Sequence, residues 1–519
     1  MEAKVFKYFE KDEIEQFGPF YKLNKTEFDF DLKKKNLILV TSITPTPAGE
    51  GKTTTLIGLN DCLNYFGLNS IACLRQPSMG PYFGIKGGAT GSGMCELLLP
   101  DKINCGFTGD FYEIEAANNL IMAIIENEIY FNSSLNINPQ KIMWKRCIDV
   151  NDRSLRDISY QIKKDINVNS SFTITAASFL MALFCLAKSK KDFEQKLNDT
   201  IIAFDYNDNP VYIKQLSITN AIMQILENAL KPNLAFSKSN NPVIIHGGPF
   251  ANIAHGCNSL IALNYGLSKA DYVFTEAGFG SDLGAEKFLD ILCRETNLIP
   301  NLVVLTITLK ATIYHGKQIS KDETLLTKQL IDIGFSNVLH HFNLLKQYGL
   351  PVCIVINKFS NDNEADLQYL LFKSKQLCNS VISKIWDNGV NNESRDVCDL
   401  ILNSVKQIEK INFTYKLSDS VFQKIEDLSK KGYLAKQVSY SEKAIQKIKE
   451  AQPYINNFYV CGAKTQYSAS TAVEFVDTNL QDVFVEDIEI NYAARFIIPL
   501  YSKMFLMPGL PKVPRAKSK

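Results

Sequence analysis

Asn36-Leu-Ile-Leu-Val-Thr-Ser42 runs without a break into Ile43-Thr-Pro-Thr-Pro-Ala-Gly-Glu-Gly-Lys-Thr-Thr54. The first part is a continuous β-branched apolar run, which suits a strand covered on both faces, as in a parallel sheet. The second is a glycine-rich loop, and Thr53 to Phe66 behind it reads as a helix. Strand, tight loop and helix in that order are the context of a phosphate-binding loop. Gly49 and Gly51 permit the turn that aims successive backbone N–H groups at phosphate oxygens, and the helix N-terminus adds partial positive charge. Thr46, Pro47, Ala48, Gly49, Glu50, Gly51, Lys52, Thr53 and Thr54 are therefore the expected nucleotide-binding residues. Lys52 is expected to reach the β/γ-phosphates, and the Thr53 hydroxyl to help hold Mg2+ as the metal contact. Thr46 stands where the usual pattern has glycine. The loop calls for a triphosphate without saying what is done with it.

Further apolar runs of the same kind are Ser70 to Leu74, Pro242 to Ile245, Asp271 to Thr275, Asn301 to Thr308 and Pro351 to Ile356. Helical stretches such as Ala116 to Asn127 lie between them, and alternating strands and helices imply an α/β layer structure. Lys52, Arg75, His246, Glu276 and Asn357 all fall at or just past the carboxyl end of a run. Open α/β sheets bind ligands along that edge, so these positions point to one shared site. Gly247-Gly248, with His246 and His255 around them, suit a backbone-rich ligand wall, and neither histidine is assigned a proton transfer. Asn357-Lys358 is a weak candidate for contact with the base. The expected fold is a doubly wound, mostly parallel P-loop NTPase-type domain over 1–357, with a mostly helical insertion at about 127–241. Charged helical segments and the strand runs Asp482 to Glu489 and Ala494 to Leu500 then suggest smaller C-terminal α/β domains over 358–519.

Composition narrows the class. The chain has 519 residues, 46% hydrophobic and 21% charged, with a formal net charge of +1. That profile suits a globular protein, and no global field favours nucleic acid or an anionic membrane. The basic tail Lys512, Arg515, Lys517 and Lys519 reads as a solvated terminus. The twelve cysteines form no CxxC pair, so no zinc site is indicated, and scattered thiols with apolar neighbours suit a reducing compartment. Met1 to Phe17 is too charged for a signal peptide, and the apolar stretch Ile174 to Ala187 is shorter than a membrane span. A cytoplasmic location is expected.

The loop and a series of further segments resemble the formate–tetrahydrofolate ligase family. The segments are Leu74-Arg-Gln-Pro-Ser-Met-Gly-Pro81, Phe83-Gly-Ile-Lys-Gly-Gly88, Phe107-Thr-Gly-Asp110, Ala116-Ala-Asn-Asn-Leu120, Trp144-Lys-Arg146, His246 to Cys257, Thr275-Glu-Ala-Gly-Phe-Gly280, Leu283-Gly-Ala-Glu-Lys-Phe288, Ala463-Lys-Thr-Gln-Tyr-Ser468 and Met507 to Pro514. So many long motifs in one order span roughly Ile43 to Pro514. The resemblance implies that ATP, formate and tetrahydrofolate give ADP, phosphate and 10-formyltetrahydrofolate through formyl phosphate. It implies Lys52 and Arg75 as catalytic residues, Arg75 gripping the formyl phosphate with a planar fork. It implies a pterin ring held between Phe279 and Trp386, and a homotetramer, and it leaves a monovalent cation open. Asp110 is a candidate Mg2+ or substrate contact, or else a helix cap.

Some positions depart from the family pattern. Gln76 follows the arginine where the family has Glu, and Phe179 stands at another usual Glu. Lys310 and Ile313 replace an Arg and a Lys, and Tyr501-Ser-Lys503 replaces Thr-Gly-Asp. Two other readings stand beside the ligase: a phosphate-loop switch or carrier ATPase, and a divergent, weakly active or non-catalytic binder of ATP or folate. The scattered thiols offer no shared metal cluster for the carrier, and the intact loop and Arg75 favour activity over the silent binder.

Overall fold

Each apolar run named above forms a strand, because a side chain that meets helices on both faces has no place for polar residues. The computed structural model describes residues 8–25, 28, 34–47, 49–84, 89–471, 480–501 and 505–517. Ala48, residues 85–88 of the Phe83 segment, Ser502, Lys503 and Lys519 lie outside the described residues.

The central sheet contains β1 (Ile14–Phe17), β2 (Phe20–Leu23), β3 (Asn36–Ser42), β4 (Ser70–Leu74), β5 (Asn233–Phe236), β6 (Pro242–Ile245), β7 (Tyr272–Glu276), β8 (Leu302–Thr308), β9 (Val352–Asn357) and β10 (Ser380–Ser383). Among the described residues it has ten strands, in the order β1-β2-β5-β6-β4-β7-β3-β8-β9-β10. From β6 to β10 every neighbouring pair is parallel, while β1, β2 and β5 form an antiparallel edge. The fold is thus mixed α/β around a large, mostly parallel sheet. It takes strands from both sides of residue 357.

The helices used below are α1 (Lys52–Tyr65), α2 (Asp110–Tyr130), α3 (Leu260–Lys269), α4 (Leu309–Ser320), α5 (Thr327–Gln347) and α6 (Arg395–Ser404). Alternate residues of each strand face opposite layers. Leu37, Leu39, Cys73, Val273 and Leu305 pack with Leu263 of α3 and with Ile331 and Val338 of α5. Ile38, Val40, Ala72, Phe274 and Val304 pack with Leu56, Ile57 and Leu63 of α1 and with Ile401 of α6. Helices therefore cover both faces, and the carboxyl ends of β4, β7 and β3 lie side by side.

The stretch 127–241 departs from the mostly helical expectation. It holds helices Phe179–Leu186, Lys190–Asn198 and Thr219–Ile225, but also strands Ile137–Ile142, Ile158–Lys163, Ile166–Ser170 and Ile201–Asp205. Ile158, Tyr160 and Ile162 alternate with the exposed Ser159 and Gln161, a period-two pattern that outweighs helix propensity. The hairpin that follows turns through Asp165 at φ +72°, a conformation that Asp tolerates. The last strand of the stretch 127–241, β5, belongs to the central sheet.

Near the C-terminus, Tyr459–Val460, Phe496–Leu500 and Asp487–Asn491 make a small sheet, and Ala435–Tyr440 pairs with Gln481–Val485. Phe496 and Ala463 bury against Ile114 and Ile121 of α2 and against Phe184. Among the described residues, no helix is long and apolar enough to cross a membrane.

Candidate active site

The loop after β3 is shaped by backbone bonds and by buried side chains. Gly49 N–H donates to Thr46 O at 3.0 Å, and Thr46 N–H donates to Glu50 Oε1 at 2.8 Å. Gly49 at φ +79° and Gly51 at φ +69° carry the left-handed turns, where a Cβ would be strained. Thr46 is not among the positive-φ residues, so the glycine usual at that position is not required here. Upstream, Thr44 is held from α4 and α5: His315 Nε2 lies 2.9 Å from its carbonyl, and His341 Nε2 and Asn337 Nδ2 lie 3.0 Å from its hydroxyl.

Lys52 begins α1, and its Nζ donates to Ser42 Oγ at 3.1 Å. Burial pulls its pKa below the ordinary lysine value, while Glu50 and Glu276 pull the other way. Burial pushes Glu50 upward despite its bonds to Thr46. Thr53 Oγ1 donates to Glu276 Oε2 at 2.7 Å. From the end of β9, Asn357 Nδ2 donates to Thr55 Oγ1 at 2.7 Å, tying the sheet to the first turn of α1.

Arg75 follows β4 and is ion-paired with Glu276, Nε to Oε1 at 3.6 Å. Gly278 must be glycine here, since a Cβ would fall 2.7 Å from Arg75 Nη1 and 2.5 Å from Ala251 Cβ. Several buried polar atoms along this edge lack a hydrogen-bond partner among the described residues: Arg75 Nε, Gln76 Oε1, Glu50 Oε2, Asn252 Oδ1, Asn258 Nδ2 and both ring nitrogens of His255. Each such atom costs about 1–3 kcal/mol unless a ligand satisfies it. Grouped beside β6, β4, β7 and β3, they are donors and acceptors that a polar ligand could satisfy. His255 is held neutral, its pKa lowered to about 3 by burial and by Arg75. His246 is structural by contrast: its ring nitrogens lie 2.6 Å from Ser259 Oγ and from Ala229 O.

Both aromatic candidates flank the loop. Phe279 is partly exposed and sits at φ +58°, a left-handed conformation that an aromatic residue holds only under strain, as functional sites often do. Its carbonyl accepts from Ser42 Oγ at 3.3 Å, and its ring meets Phe250 edge-on at 5.8 Å. Trp386 lines a narrow cleft with Thr54, Thr55, Asn357 and Ser383. Trp386 Nε1 donates to Ser92 Oγ at 2.9 Å, and its ring meets Phe359 at 5.3 Å.

A family model described as Formate–tetrahydrofolate ligase matches residues 7–518. The chain belongs to the formate–tetrahydrofolate ligase family. A protein of that name from Malacoplasma penetrans (strain HF-2) is 63% identical over 522 residues, covering 100% of this chain and 98% of the relative. Another from Ureaplasma parvum serovar 3 (strain ATCC 700970) is 45% identical over 513 residues, covering 98% of this chain and 95% of the relative. A third from Pelagibacter ubique (strain HTCC1062) is 41% identical over 524 residues, with 98% and 92% covered.

For a formate–tetrahydrofolate ligase, the departures noted above have distinct surroundings. Gln76 is buried with its Oε1 unpartnered among the described residues, and its backbone N–H donates to Gly247 O at 2.7 Å. Phe179 meets Trp144 edge-on at 6.0 Å, Ile313 packs against the core, and Lys310 Nζ lies 4.6 Å over the Phe359 ring. Tyr501 is buried with its hydroxyl 2.8 Å from Ser429 Oγ. Asp110 is fully engaged: it takes Lys22 Nζ at 2.5 Å, Thr108 Oγ1 at 3.0 Å and Asn233 Nδ2 at 2.7 Å. Sequence reasoning put Glu276 at a strand end but missed its two partners; the signal was its place directly after the run Asp271 to Thr275. It also missed Asp149, which accepts from Ser78 Oγ and Met79 N–H and so holds the loop after Arg75.

Proposed function

We propose that this chain ligates formate to tetrahydrofolate with ATP, giving 10-formyltetrahydrofolate, ADP and phosphate. The observation that carries the reading is the placement of the phosphate loop and Arg75 on either side of β7, within reach of one carboxylate. The strand–loop–helix unit supports a P-loop NTPase-type nucleotide site, with Thr46 to Thr54 around the phosphates and Lys52 against the transferring phosphoryl. A formate oxygen attacks the γ-phosphorus, forming the new O–P bond as the bond to the ADP oxygen breaks. The N10 lone pair of the folate then attacks the formyl carbon. A C–N bond forms, the C–O bond breaks, phosphate leaves with the electron pair and N10 gives up its proton. Both steps gather negative charge on phosphoryl and carbonyl oxygens, which Lys52 and Arg75 stabilise from fixed positions.

Mg2+ fits Thr53, whose hydroxyl oxygen sits at a helix N-terminus beside Glu276; a bound cation there would neutralise phosphate charge. Among the described residues, no group of three or more His, Cys, Asp or Glu side chains is placed to hold a metal, so the site suits an ion shared with the substrate's phosphates. Phe279 and Trp386 are the proposed pterin contacts, with the part beyond residue 357 completing the folate site. Asp110 stays with Lys22 and has no role in this reading. The homotetramer rests on the resemblance. Twelve free cysteines, most of them buried, suit a reducing cytoplasm.

The test is ATP-dependent formation of 10-formyltetrahydrofolate with formate, and the same mixture lacking each substrate in turn. Product only in the complete mixture is the expected result. ATP hydrolysis indifferent to formate and folate would favour the switch ATPase, and nucleotide binding without turnover the silent binder.

A further inference from the structure

Glu276 ends β7, the strand between β4 and β3, and is 2% exposed. One carboxylate oxygen takes the Thr53 hydroxyl at 2.7 Å, and the other faces Arg75 Nε at 3.6 Å. A single side chain thus touches both the loop assigned to ATP and the arginine assigned to the acyl phosphate. We propose that Glu276 is a positioning residue that couples the two half-sites: it turns the Thr53 lone pairs toward the nucleotide's cation and aims the Arg75 fork at the acyl phosphate. The inference rests on the ligase reading and deepens it.

The chemistry follows from counting donors and acceptors. A threonine hydroxyl has one proton and two lone pairs. With the proton given to Glu276, the lone pairs of Thr53 are left for a cation at the helix N-terminus. An arginine has its Nε–H on one edge and a terminal fork of N–H groups on the other. With Nε–H turned to Glu276, the fork remains for bidentate oxyanion binding. The 3.6 Å separation is longer than a good hydrogen bond, and Arg75 Nε has no other hydrogen-bond partner among the described residues. Contacts that are loose without substrate commonly tighten in the reacting complex. The arrangement requires a carboxylate, because two acceptor oxygens serve two donors. An amide has one acceptor and would serve only the nearer donor, Thr53.

Glu276→Gln in the full chain therefore separates the half-sites. Its affinity for ADP, titrated calorimetrically with and without Mg2+, should stay within about threefold of wild type, because Thr53 keeps its acceptor. The kcat/KM for formate should fall about 10- to 100-fold, as losses of orienting partners do. In an Arg75→Lys background the same substitution should add less than about threefold, since the fork is already gone. Unchanged formate kinetics, equal losses in ADP affinity and formate turnover, or independent multiplication of the two defects would each overturn the coupling. If Glu276→Gln does not fold, Glu276→Asp carries the test. It keeps both acceptors at shorter reach, so a formate defect larger than the ADP defect supports the proposal and equal defects overturn it. A wild-type enzyme that makes no product would instead sink the ligase reading, whereas an active wild type with a normal Glu276→Gln variant would sink only this inference.

Discussion

The Lys52 ammonium donates to Ser42 Oγ, and Glu50 and Glu276 both raise its pKa against the effect of burial. In the proposed reaction, phosphoryl transfer sends negative charge past this point, and a cation already fixed there needs no reorganisation as the charge develops. Lys52→Ala should leave a folded chain, because its backbone starts α1 and the apolar packing of α1 begins beyond it. Its kcat should fall on the order of 100-fold or more, a loss of ~3 kcal/mol. Steady-state kinetics with circular dichroism check this, and near-normal turnover in a folded variant would remove the lysine from the reaction. The residue was legible in the sequence because its loop is local and its glycines have one steric purpose. Glu276 was not legible in the same way. It meets Thr53 across 223 residues, and only the order β4-β7-β3 brings them together. Gln76 illustrates a further limit: the sequence shows that a charge is missing, but not that the replacing amide oxygen is buried and unpartnered.

Among the elements, the parallel strands were the most legible. Continuous apolar runs have few other homes, and the runs at 36–42, 70–74 and 242–245 match their strands residue for residue. The stretch 127–241 was harder, because its short strands pair locally and mix with helices that have similar apolar content. The segment after Phe279 shows what periodicity cannot reveal. Ser281–Ala285 and Phe288–Cys293 are π-helical, a widened turn frequent at functional sites, and Glu286 and Lys287 are buried between them. Burial lifts the Glu286 pKa to about 8, although Lys287 at 3.5 Å opposes the rise. The folded chain therefore keeps this proton between about pH 4.5 and 8, while the unfolded chain has lost it. Stability from this group is fully present below about pH 4.5 and is lost as pH rises toward 8. Glu286→Gln removes the titration and keeps an oxygen for the Tyr433 hydroxyl, which lies 3.2 Å from Oε2. The variant's melting temperature relative to wild type should rise by roughly 2–4 °C between pH 5 and pH 8. Calorimetric scans across that range decide it, and a flat difference would mean the carboxyl ionises normally in the fold.

Across the whole molecule, the C-terminal part is tied to the loop after β3 through buried charge. Lys464, just past Tyr459–Val460, donates to Asp282 Oδ2 at 2.6 Å and to the Ser468 carbonyl at 2.7 Å, and both charged groups are nearly inaccessible to water. Burial pushes the Asp282 pKa up, and the Lys464 ammonium together with His341 and His340 more than reverses it, so the carboxyl is held below its usual range. Asp282 Oδ1 lies 4.0 Å from His341 Nδ1, and His341 reaches the Thr44 hydroxyl at the entry to the loop. A continuous line thus runs from the C-terminal sheet to Thr44, two residues before the first of the proposed nucleotide-binding residues, and the spacing of these residues along the chain gives no hint of it. Breaking a buried pair from one side strands the other charge, which costs about 3–5 kcal/mol, whereas neutralising both sides costs much less. Lys464→Met should lose stability of that size in urea denaturation, and Lys464→Met with Asp282→Asn should recover most of it. The recovery separates the charge effect from packing, because the methionine is present in both variants. A single variant within about 1 kcal/mol of wild type would place the pair in the range of a weak surface bridge. A double variant no better than the single would put the loss in the fit of the lysine stem against Tyr433, whose ring centroid lies 5.5 Å from Nζ.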